Sequence, residues 1–410
     1  MQMPIFDCDV LVVGAGPAGS VAAYRLAEAG CRVILVDAGA FPREKACGGG
    51  LQQRALAYLP RDTREVFKSS LRKTDFSFAL GDRFSRISNS PLVYGVLRAE
   101  FDELLLRDAE GMGVVVREKV RVVSAEIQPG AALAHTSAGQ VRARYIVGAD
   151  GANSVIGRLL NHRENFFWQV ALYCEIPIPR ERERMLSQEA MRVDLGTLAA
   201  GYGWLFPKGQ TVNVGVGGPL AMARNLRPYF RAFLHSEGLL DDSLPAAHMS
   251  GHLLPTLTER TTVAGPSAVL VGDAAGLVEP LTGEGISHAC QSGELAARSI
   301  LKYFGKPELT AVYSRLVHAG MGTELQWGRR LLSFAIAFPR LFYRLLHHND
   351  AAWHCFCDVL GGHRDFATLW RVVAGPASLL GVPLDAILRH MERRRMRTSG
   401  SPLLDALPPG

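Results

Sequence analysis

The feature that most constrains the fold of this chain is its opening segment, "DVLVVGAGPAGSVAAYRLAEAGCRVILVDAG". An apolar run at 10–13 predicts a strand buried on both faces, and it leads into Gly14, Gly16 and Gly19 in a G-x-G-x-x-G pattern. An alanine-rich helix, a glycine stop and a second apolar strand that ends at Asp37 complete a βαβ unit. Such glycines give a tight turn, close backbone approach to a pyrophosphate and close helix packing, while the acid accepts from ribose hydroxyls. The segment therefore predicts a Rossmann-like dinucleotide site.

Two further segments favour one dinucleotide over another. "ARYIVGADGANSVIGR" is a strand that ends at Asp150, and "SAVLVGDAAGLVEPLTGEGISHACQSGELAA" is a strand that ends at Asp273 before a glycine-rich turn into a helix. We expect Asp273 to accept from a ribityl hydroxyl, and Gly285 with a helix that starts near Ile286 to face a flavin pyrimidine ring. The positive end of that helix suits negative charge on a reduced flavin. Together the three segments predict FAD, rather than NAD, as the cofactor.

Composition sets broad limits on the class of protein. At 410 residues, 48% hydrophobic and 20% charged, the chain predicts two or three globular domains. Its seven scattered cysteines predict reduced thiols and a cytoplasmic location. The opening residues do not have the pattern of a secretory signal peptide, and no run of 18 apolar residues occurs.

The net charge of +6 is unevenly distributed. Much of the excess lies in "RHMERRRMR" at 389–397, before a tail that we expect to be disordered. A basic segment beside apolar helices favours peripheral contact with a membrane surface or an acidic partner; a solvated helix end is the alternative. Basic and aromatic residues are not interleaved, so no nucleic-acid partner is predicted. The His- and Cys-rich segment 347–363 lacks the spacing of a metal site, and no metal is predicted.

These motifs resemble those of the FAD-dependent oxidoreductases of the para-hydroxybenzoate-hydroxylase fold. The matching parts are the GAGPAG turn, the "VLRAEFDELLL" segment with Arg98, and the turns that contain Asp150 and Asp273. The resemblance implies an α/β fold, in which a β-rich substrate domain is inserted into a Rossmann-like FAD-binding domain and a helical C-terminal region follows. The predicted boundaries are 1–72, 95–163 and 263–302 for the FAD-binding domain, 73–94 and 164–262 for the substrate-binding β-sheet domain, 303–398 for the helical region and 399–410 for the tail.

Three local features narrow the resemblance to the geranylgeranyl reductase family. They are "FPREKACGGGL" (41–51), "GYGWLFPKGQTVNVGVGG" (201–218) and "GDAAGLVEPLTGEGI" (272–286). The resemblance implies that reduced FAD delivers a hydride to one carbon of an isoprenoid or lipid double bond, while a proton reaches the other carbon. Three adjacent glycines are costly to order, which indicates that the backbone at 48–50 is approached closely, here by the flavin.

The resemblance also implies the site residues. Cys47 is the catalytic candidate, as a proton donor or modulator near the flavin; the alternatives are a small apolar filler and a thiol that exchanges with a second one. Tyr202, Trp204 and Phe206 are the predicted substrate-binding residues, with the aromatic side chains of 334–343 nearby. The predicted cofactor-binding residues are Gly14, Gly16, Gly19, Asp37, Ala46, Cys47, Gly50, Arg98, Val122, Asp273, Gly285 and Ile286.

Several alternatives stay open on the sequence alone. A flavin monooxygenase or halogenase shares the fold, although halogenases carry Trp-x-Trp-x-Ile-Pro where this chain has "YGWLFP" at 202–207. A non-redox cyclase or isomerase and a lipid-binding flavoprotein without turnover are further hypotheses. Because no second nucleotide fingerprint occurs, the electron donor is predicted to be NAD(P)H bound transiently or a ferredoxin-like carrier. The predicted prenyl substrate has four alternative carriers: a phospholipid, a diphosphate, a chlorophyll precursor and a quinone.

Overall fold

The structure is a computed structural model that describes residues 7–161, 163–178, 189–198, 200–239 and 249–378. The basic segment 389–397 and the predicted tail 399–410 lie outside the described residues. The strands are β1 (Cys8–Val13), β2 (Val33–Val36), β3 (Gly50–Gln52), β4 (Phe67–Leu71), β5 (Lys73–Phe78), β6 (Asp82–Ile87), β7 (Val93–Val96), β8 (Val115–Arg117), β9 (Val122–Gln128), β10 (Ala131–Thr136), β11 (Gly139–Gly148), β12 (Phe166–Pro177), β13 (Ala190–Leu195), β14 (Tyr202–Lys208), β15 (Thr211–Pro219), β16 (Ser250–Leu257), β17 (Ala264–Gly265) and β18 (Ala268–Leu270). The α-helices are α1 (Pro17–Glu28), α2 (Arg98–Gly111), α3 (Val155–Leu160), α4 (Ala223–Ser236), α5 (Ile286–Lys302), α6 (Leu309–Val317), α7 (Thr323–Ala337), α8 (Pro339–His348), α9 (Asp350–Gly361) and α10 (Phe366–Ser378).

The first sheet contains the βαβ unit that the sequence predicts. Its order is β17–β18–β11–β1–β2–β8, parallel from β18 to β8, and β9 and β10 extend it from β11. Strand β1 is buried along nearly its whole length, as a central parallel strand requires. Helices α1 and α5 pack closely, because a Cβ at Gly293 would overlap the backbone of Ala18. This packing brings the starts of both helices to the same region of the molecule.

The second sheet has the order β16–β12–β15–β14–β13–β5–β6. Side chains of a strand alternate between faces, and β14 and β15 follow this rule. Leu205 and Val214 join the core against Phe230 of α4 on one face. Trp204 and Phe206 project from the other face, which lines the cavity described below.

The helices that follow α5 cover the edge of the second sheet. The hydroxyl of Tyr343 in α8 donates to the carbonyl of Asp82 at 2.7 Å, and Trp353 of α9 donates to the carbonyl of Ile87 at 3.3 Å. The predicted architecture is therefore confirmed: a Rossmann-like sheet, a second β-rich sheet and a helical C-terminal region. Its exact domain boundaries stay predictions. None of the helices in the described ranges is long and apolar enough to cross a membrane.

Candidate active site

A cavity of about 990 Å³ is lined by the first and second sheets, by a three-stranded sheet of order β3–β7–β4, and by helices α8 and α9. It brings together all three predicted substrate-binding residues and every predicted cofactor-binding residue except Gly19. Gly19 lies behind the cavity wall, where a Cβ would approach Ala149 Cβ to 3.1 Å and overlap the Gly14 carbonyl. Its glycine is needed for close packing of α1 on the sheet, which is the role that the motif predicts for the third glycine.

One end of the cavity is formed by the turn between β1 and α1. Gly14 has a φ of +102°, a conformation that favours glycine. Gly16 has ordinary extended backbone, and a Cβ there would meet no protein atom within 4 Å. The carboxylate of Asp37 accepts from the N–H of Ala15 at 2.8 Å and from Arg43 at 3.3 Å, which fixes it beside the turn. No side chain caps the start of α1, so this end has the shape and donors of a pyrophosphate cradle.

A triad of polar side chains faces the other part of the cavity. Nε2 of His252 lies 3.2 Å from Oδ2 of Asp273 and 3.5 Å from Nζ of Lys45. Burial raises the pKa of Asp273, but His252, Lys45 and Arg98 outweigh it and hold that pKa below its ordinary value. Burial and the Lys45 ammonium lower the pKa of His252, against the pull of Asp273. Burial also lowers the pKa of Lys45, against the opposing effect of Asp273. The triad therefore presents hydrogen-bond donors and an acceptor to a bound group with hydroxyls.

Sequence reasoning found Asp273 but missed its two partners. Lys45 belongs to the quoted "FPREKACGGGL" segment, and its place next to Cys47 was a usable signal. His252 is a polar residue on strand β16, far from any recognised motif, and no sequence signal marks it.

Cys47 lines the cavity, and its sulfur has two polar neighbours. Its sulfur accepts from the N–H of Gly49 at 3.3 Å, and the guanidinium of Arg98 lies beside it. Arg98 is itself fixed by the buried carboxylate of Asp102, at 2.7 and 2.8 Å. Burial lowers the pKa of Arg98, but Asp102 and Cys47 outweigh it and raise that pKa above its ordinary range. The thiol thus lies beside a guanidinium that Asp102 holds in place.

The glycines after Cys47 lie against the aromatic side chains of β14. A Cβ at Gly48 would come within 3.1 Å of Trp204 Nε1, and one at Gly50 within 3.1 Å of Phe206 Cε2. Gly49 has a φ of +63°, where side chains are rarely tolerated. The three glycines are therefore required by packing within the protein itself, in addition to the predicted close approach of a flavin.

Tyr202, Trp204 and Phe206 form an aromatic wall on the cavity face of β14. The indole N–H of Trp204 donates to Oδ1 of Asn213 at 2.7 Å, and the hydroxyl of Tyr202 donates to the carbonyl of Thr282. Asn213 is fully buried and its amide nitrogen donates to the carbonyl of Cys47 at 3.3 Å. Asn213 therefore ties the aromatic wall to the cysteine segment. A polar residue inside the apolar strand "TVNVGVGG" was the signal that sequence reasoning passed over.

Beyond the aromatic wall the cavity has an apolar arm between the second sheet and helices α8 and α9. Of the aromatic residues predicted near substrate, Phe342 lines the arm, whereas Phe334 and Tyr343 are buried in the neighbouring core. The apolar arm is lined by Phe76, Leu195, Phe342, Leu346, Phe356 and Leu360.

Neither a disulfide nor a metal cluster is present among the described residues. All seven cysteines are free thiols. Within the described ranges, no group of three or more His, Cys, Asp or Glu side chains is arranged to hold a metal ion.

Comparison with known proteins agrees with this geometry. A family profile described as an FAD binding domain matches residues 7–167. A menaquinone reductase of Mycolicibacterium smegmatis is 35% identical over 81% of this chain and 85% of its own length. A digeranylgeranylglycerophospholipid reductase of Methanococcus vannielii is 29% identical over 71% of this chain and 77% of its own length. The chain belongs to the geranylgeranyl reductase family of FAD-dependent oxidoreductases.

A solved structure shows the same fold in this geranylgeranyl reductase family. The geranylgeranyl bacteriochlorophyll reductase-like protein of Thermoplasma acidophilum is 23% identical, with a TM-score of 0.69 over 89% of this chain and 90% of that chain. FAD is therefore the cofactor, as predicted, and the protein is an FAD-dependent reductase.

Proposed function

We propose that this reductase saturates carbon–carbon double bonds of a geranylgeranyl or related isoprenoid chain. The apolar arm is the observation that supports this substrate class. It continues the cofactor cavity past Cys47 and Trp204, and its lining offers aliphatic and aromatic side chains of the kind that bind a hydrocarbon chain. The names of the two relatives, a menaquinone reductase and a digeranylgeranylglycerophospholipid reductase, agree with a prenylated substrate.

The cofactor roles follow from the two ends of the cavity. The turn at Gly14 and Gly16 receives the pyrophosphate, and Asp37 the adenosine ribose, because free N–H groups and a fixed acceptor lie there. Asp273 accepts from a ribityl hydroxyl, and Gly285 with the N-terminus of α5 faces the pyrimidine ring. The other proposed contacts with FAD come from the cavity wall at Ala46, Cys47, Gly50, Arg98, Val122 and Ile286.

Reduced FAD, when bound, supplies a hydride to one carbon of the double bond. The protein has three tasks: to orient the chain, to exclude water and to provide one proton for the other carbon. The aromatic wall of Tyr202, Trp204 and Phe206 orients the chain and keeps the reacting carbons dry. Cys47 modulates the proton balance at the reacting centre, because its sulfur faces the Arg98 cation inside the cavity.

The test uses the FAD-loaded protein reduced with dithionite in the absence of oxygen. Geranylgeranyl diphosphate, a geranylgeranylated glycerophospholipid and a menaquinone are added in parallel, and product mass is followed together with flavin re-oxidation. We expect mass gains in steps of two hydrogens, matched by oxidised FAD, with at least one carrier. A product that gains an oxygen or halogen atom only after air is admitted would instead show the monooxygenase or halogenase chemistry of the same fold.

A variant in the apolar arm tests whether the arm holds the chain. Phe356→Trp narrows the arm, and we expect it to lower turnover of long isoprenoid chains more than that of short ones. Leu345→Met is the matched control, because Leu345 packs in the adjacent core without lining the cavity. Equal chain-length preference in Phe356→Trp and wild type would argue against this location.

We further propose that NAD(P)H or a ferredoxin-like carrier reduces the flavin, and that the basic segment 389–397 gives peripheral contact with a membrane. Replacing dithionite by each donor identifies the first. Liposome flotation of the full chain against a chain ending at residue 388 tests the second, and equal flotation would contradict it.

A further inference from the structure

A second cavity lies outside the cofactor site and is reached from it through one buried histidine. It measures about 800 Å³, and its lining includes Arg54 and Glu324. Both of these side chains contact the ring of His288, which is completely buried on α5. On the other side of the ring stands Glu284, which lines the cofactor cavity. His288 is thus the link between an outer polar cavity and the wall of the active site.

The Nε2 side of His288 has both a donor and an acceptor beside it. Nη2 of Arg54 lies 3.3 Å from Nε2, and Oε2 of Glu324 lies 3.6 Å from it. When Nε2 carries no proton, it accepts from the guanidinium, which is a donor at every pH. When Nε2 is protonated, it donates to the carboxylate. Both protonation states of this nitrogen therefore have a partner in the same arrangement.

The Nδ1 side of His288 faces an unpaired carboxylate oxygen. Oε2 of Glu284 lies 3.9 Å from Nδ1, and both atoms are buried with no hydrogen-bond partner. Oε1 of the same carboxylate accepts from the N–H of Ser287 at 2.6 Å, which fixes the group at the start of α5. A gap of 3.9 Å is too long for a hydrogen bond, and an approach of about 1 Å closes it. Two buried polar atoms without partners normally carry a cost, so their pairing across this gap calls for a function.

Several charged side chains surround the ring of His288. Three carboxylates, those of Glu279, Glu284 and Glu324, face the ring or lie near it, against the single guanidinium of Arg54. Burial raises the pKa of Glu279. For Glu324, burial also raises the pKa, but His288 and Arg54 outweigh it and lower it. A carboxylate therefore lies beside each of the two ring nitrogens of His288.

We propose that His288 relays protons from the outer cavity to the cofactor cavity, with Glu284 as the group that delivers them. Saturation of one double bond consumes one hydride and one proton, and that proton comes from bulk water. Water in the outer cavity gives a proton to the carboxylate of Glu324, which passes it to Nε2 and then accepts the new N–H. The Nδ1 proton then passes to Oε2 of Glu284, which releases it into the cofactor cavity. This leaves a neutral ring with its proton on Nε2, and exchange of that proton from Nε2 to Nδ1 through water restores the starting tautomer before the next turnover. One proton enters and one leaves, with no change in the number of electrons.

The relay rests on the proposed function only in one respect, namely that the reaction consumes a proton. The first experiment measures single-turnover re-oxidation of the dithionite-reduced enzyme by an isoprenoid substrate, in H₂O and in D₂O across a pH series. We expect His288→Gln and Glu284→Gln to slow the reaction roughly 10-fold or more and to enlarge the solvent isotope effect. His318→Gln is the matched control, because the ring of His318 lies 3.1 Å from the Thr261 carbonyl and, among the described residues, does not line the cofactor cavity.

A rescue experiment separates proton transfer from structural damage. We expect His288→Ala to regain rate when imidazole is added, since the deleted ring adjoins side chains of the outer cavity. Imidazole should not accelerate His318→Gln. The relay would be overturned if the His288 variants bind FAD stoichiometrically, are re-oxidised by substrate at the wild-type rate and keep the wild-type pH profile. If the His288 variants fail to bind FAD, Glu284→Gln alone decides: a wild-type rate and isotope effect refute the proposal.

A second measurement needs no isoprenoid at all. ¹⁵N-histidine NMR of the FAD-loaded protein, with the His288 signals assigned through His288→Gln, reports the tautomer and titration of the ring. We expect neutral His288 to carry its proton on Nδ1, and its titration to move on reduction of FAD in wild type but much less in Glu284→Gln. A ring that keeps one protonation state in oxidised and reduced protein would overturn the relay. If no isoprenoid is reduced while His288 responds in this way, the proposed substrate fails and the relay stands.

Discussion

Gly16 offers a direct test of how the cofactor cavity is built. Its backbone is extended, with φ of −75°, so alanine adopts it without strain. The added Cβ would meet no protein atom within 4 Å, and the residue lines the cavity. Gly16→Ala therefore places one methyl group in the space of the proposed pyrophosphate and disturbs nothing else.

The expected magnitudes differ for the two properties of this variant. Stability of the FAD-free protein should change by less than about 1 kcal/mol, since the methyl group makes no contact and only the unfolded chain loses freedom. The methyl group should displace the pyrophosphate enough to break one charge-assisted hydrogen bond, worth roughly 1.5–3 kcal/mol. That energy corresponds to an FAD dissociation constant raised roughly 10- to 150-fold.

The assay compares urea unfolding of the FAD-free protein with FAD titration followed by flavin fluorescence. Gly19→Ala is the matched control, because its Cβ would overlap the Gly14 carbonyl and lie 3.1 Å from Ala149 Cβ, outside the cavity. That overpacking should destabilise the FAD-free protein by about 1–3 kcal/mol or more. If Gly16→Ala binds FAD as tightly as wild type, or if it unfolds as readily as Gly19→Ala, then our assignment of the pyrophosphate site is wrong.

Three other predictions concern the site and its surroundings. Cys47→Ala should bind FAD normally but reduce substrate roughly 10- to 100-fold more slowly in single-turnover experiments; an unchanged rate would leave Cys47 as a packing residue. Asn213→Leu should cost about 1–3 kcal/mol in urea unfolding, since the Trp204 N–H and the Cys47 carbonyl lose their buried partner. The pKa of Glu324 falls from 4.5 to about 2, because His288 and Arg54 outweigh the opposing effect of burial. This depressed pKa stabilises the fold above pH 4.5, and the stabilisation is lost as pH falls towards 2. Glu324→Gln should therefore lower the free energy of unfolding by ~3 kcal/mol at neutral pH. In urea unfolding, the difference in stability from wild type should disappear between pH 4.5 and pH 2.

The local structure around the proposed pyrophosphate turn was predictable because its signals are local. The glycine turn, the helix after it and Asp37 lie within one short stretch of chain, and their conformations depend on neighbours in sequence. The same holds for the turn at Asp273 and the start of α5 at Ile286. The alternation of β14 placed Trp204 and Phe206 on one face, and the structure puts that face against the cavity.

The polar partners of these residues were not predictable in this way. Lys45 and His252 are 207 positions apart, and Arg54 and His288 are 234 positions apart. Neither pair leaves a trace in periodicity or composition, since each depends on which strands and helices pack together. The aromatic residues at 334–343 could not be sorted from the sequence either. Their helical spacing does not distinguish Phe342, which lines the apolar arm, from Phe334, which is buried in the core.

The sequence by itself determined that this protein binds FAD through a Rossmann-like βαβ unit and carries the motifs of a geranylgeranyl reductase. Glycine spacing and strand patterns act over a few residues, so they can be recognised without a structure. Only the tertiary structure decided that Cys47 lies against the Arg98 cation, that an apolar arm continues the cavity, and that His288 connects two cavities. The physical reason is that burial and charge at a side chain are set by residues distant in sequence, which folding alone brings together.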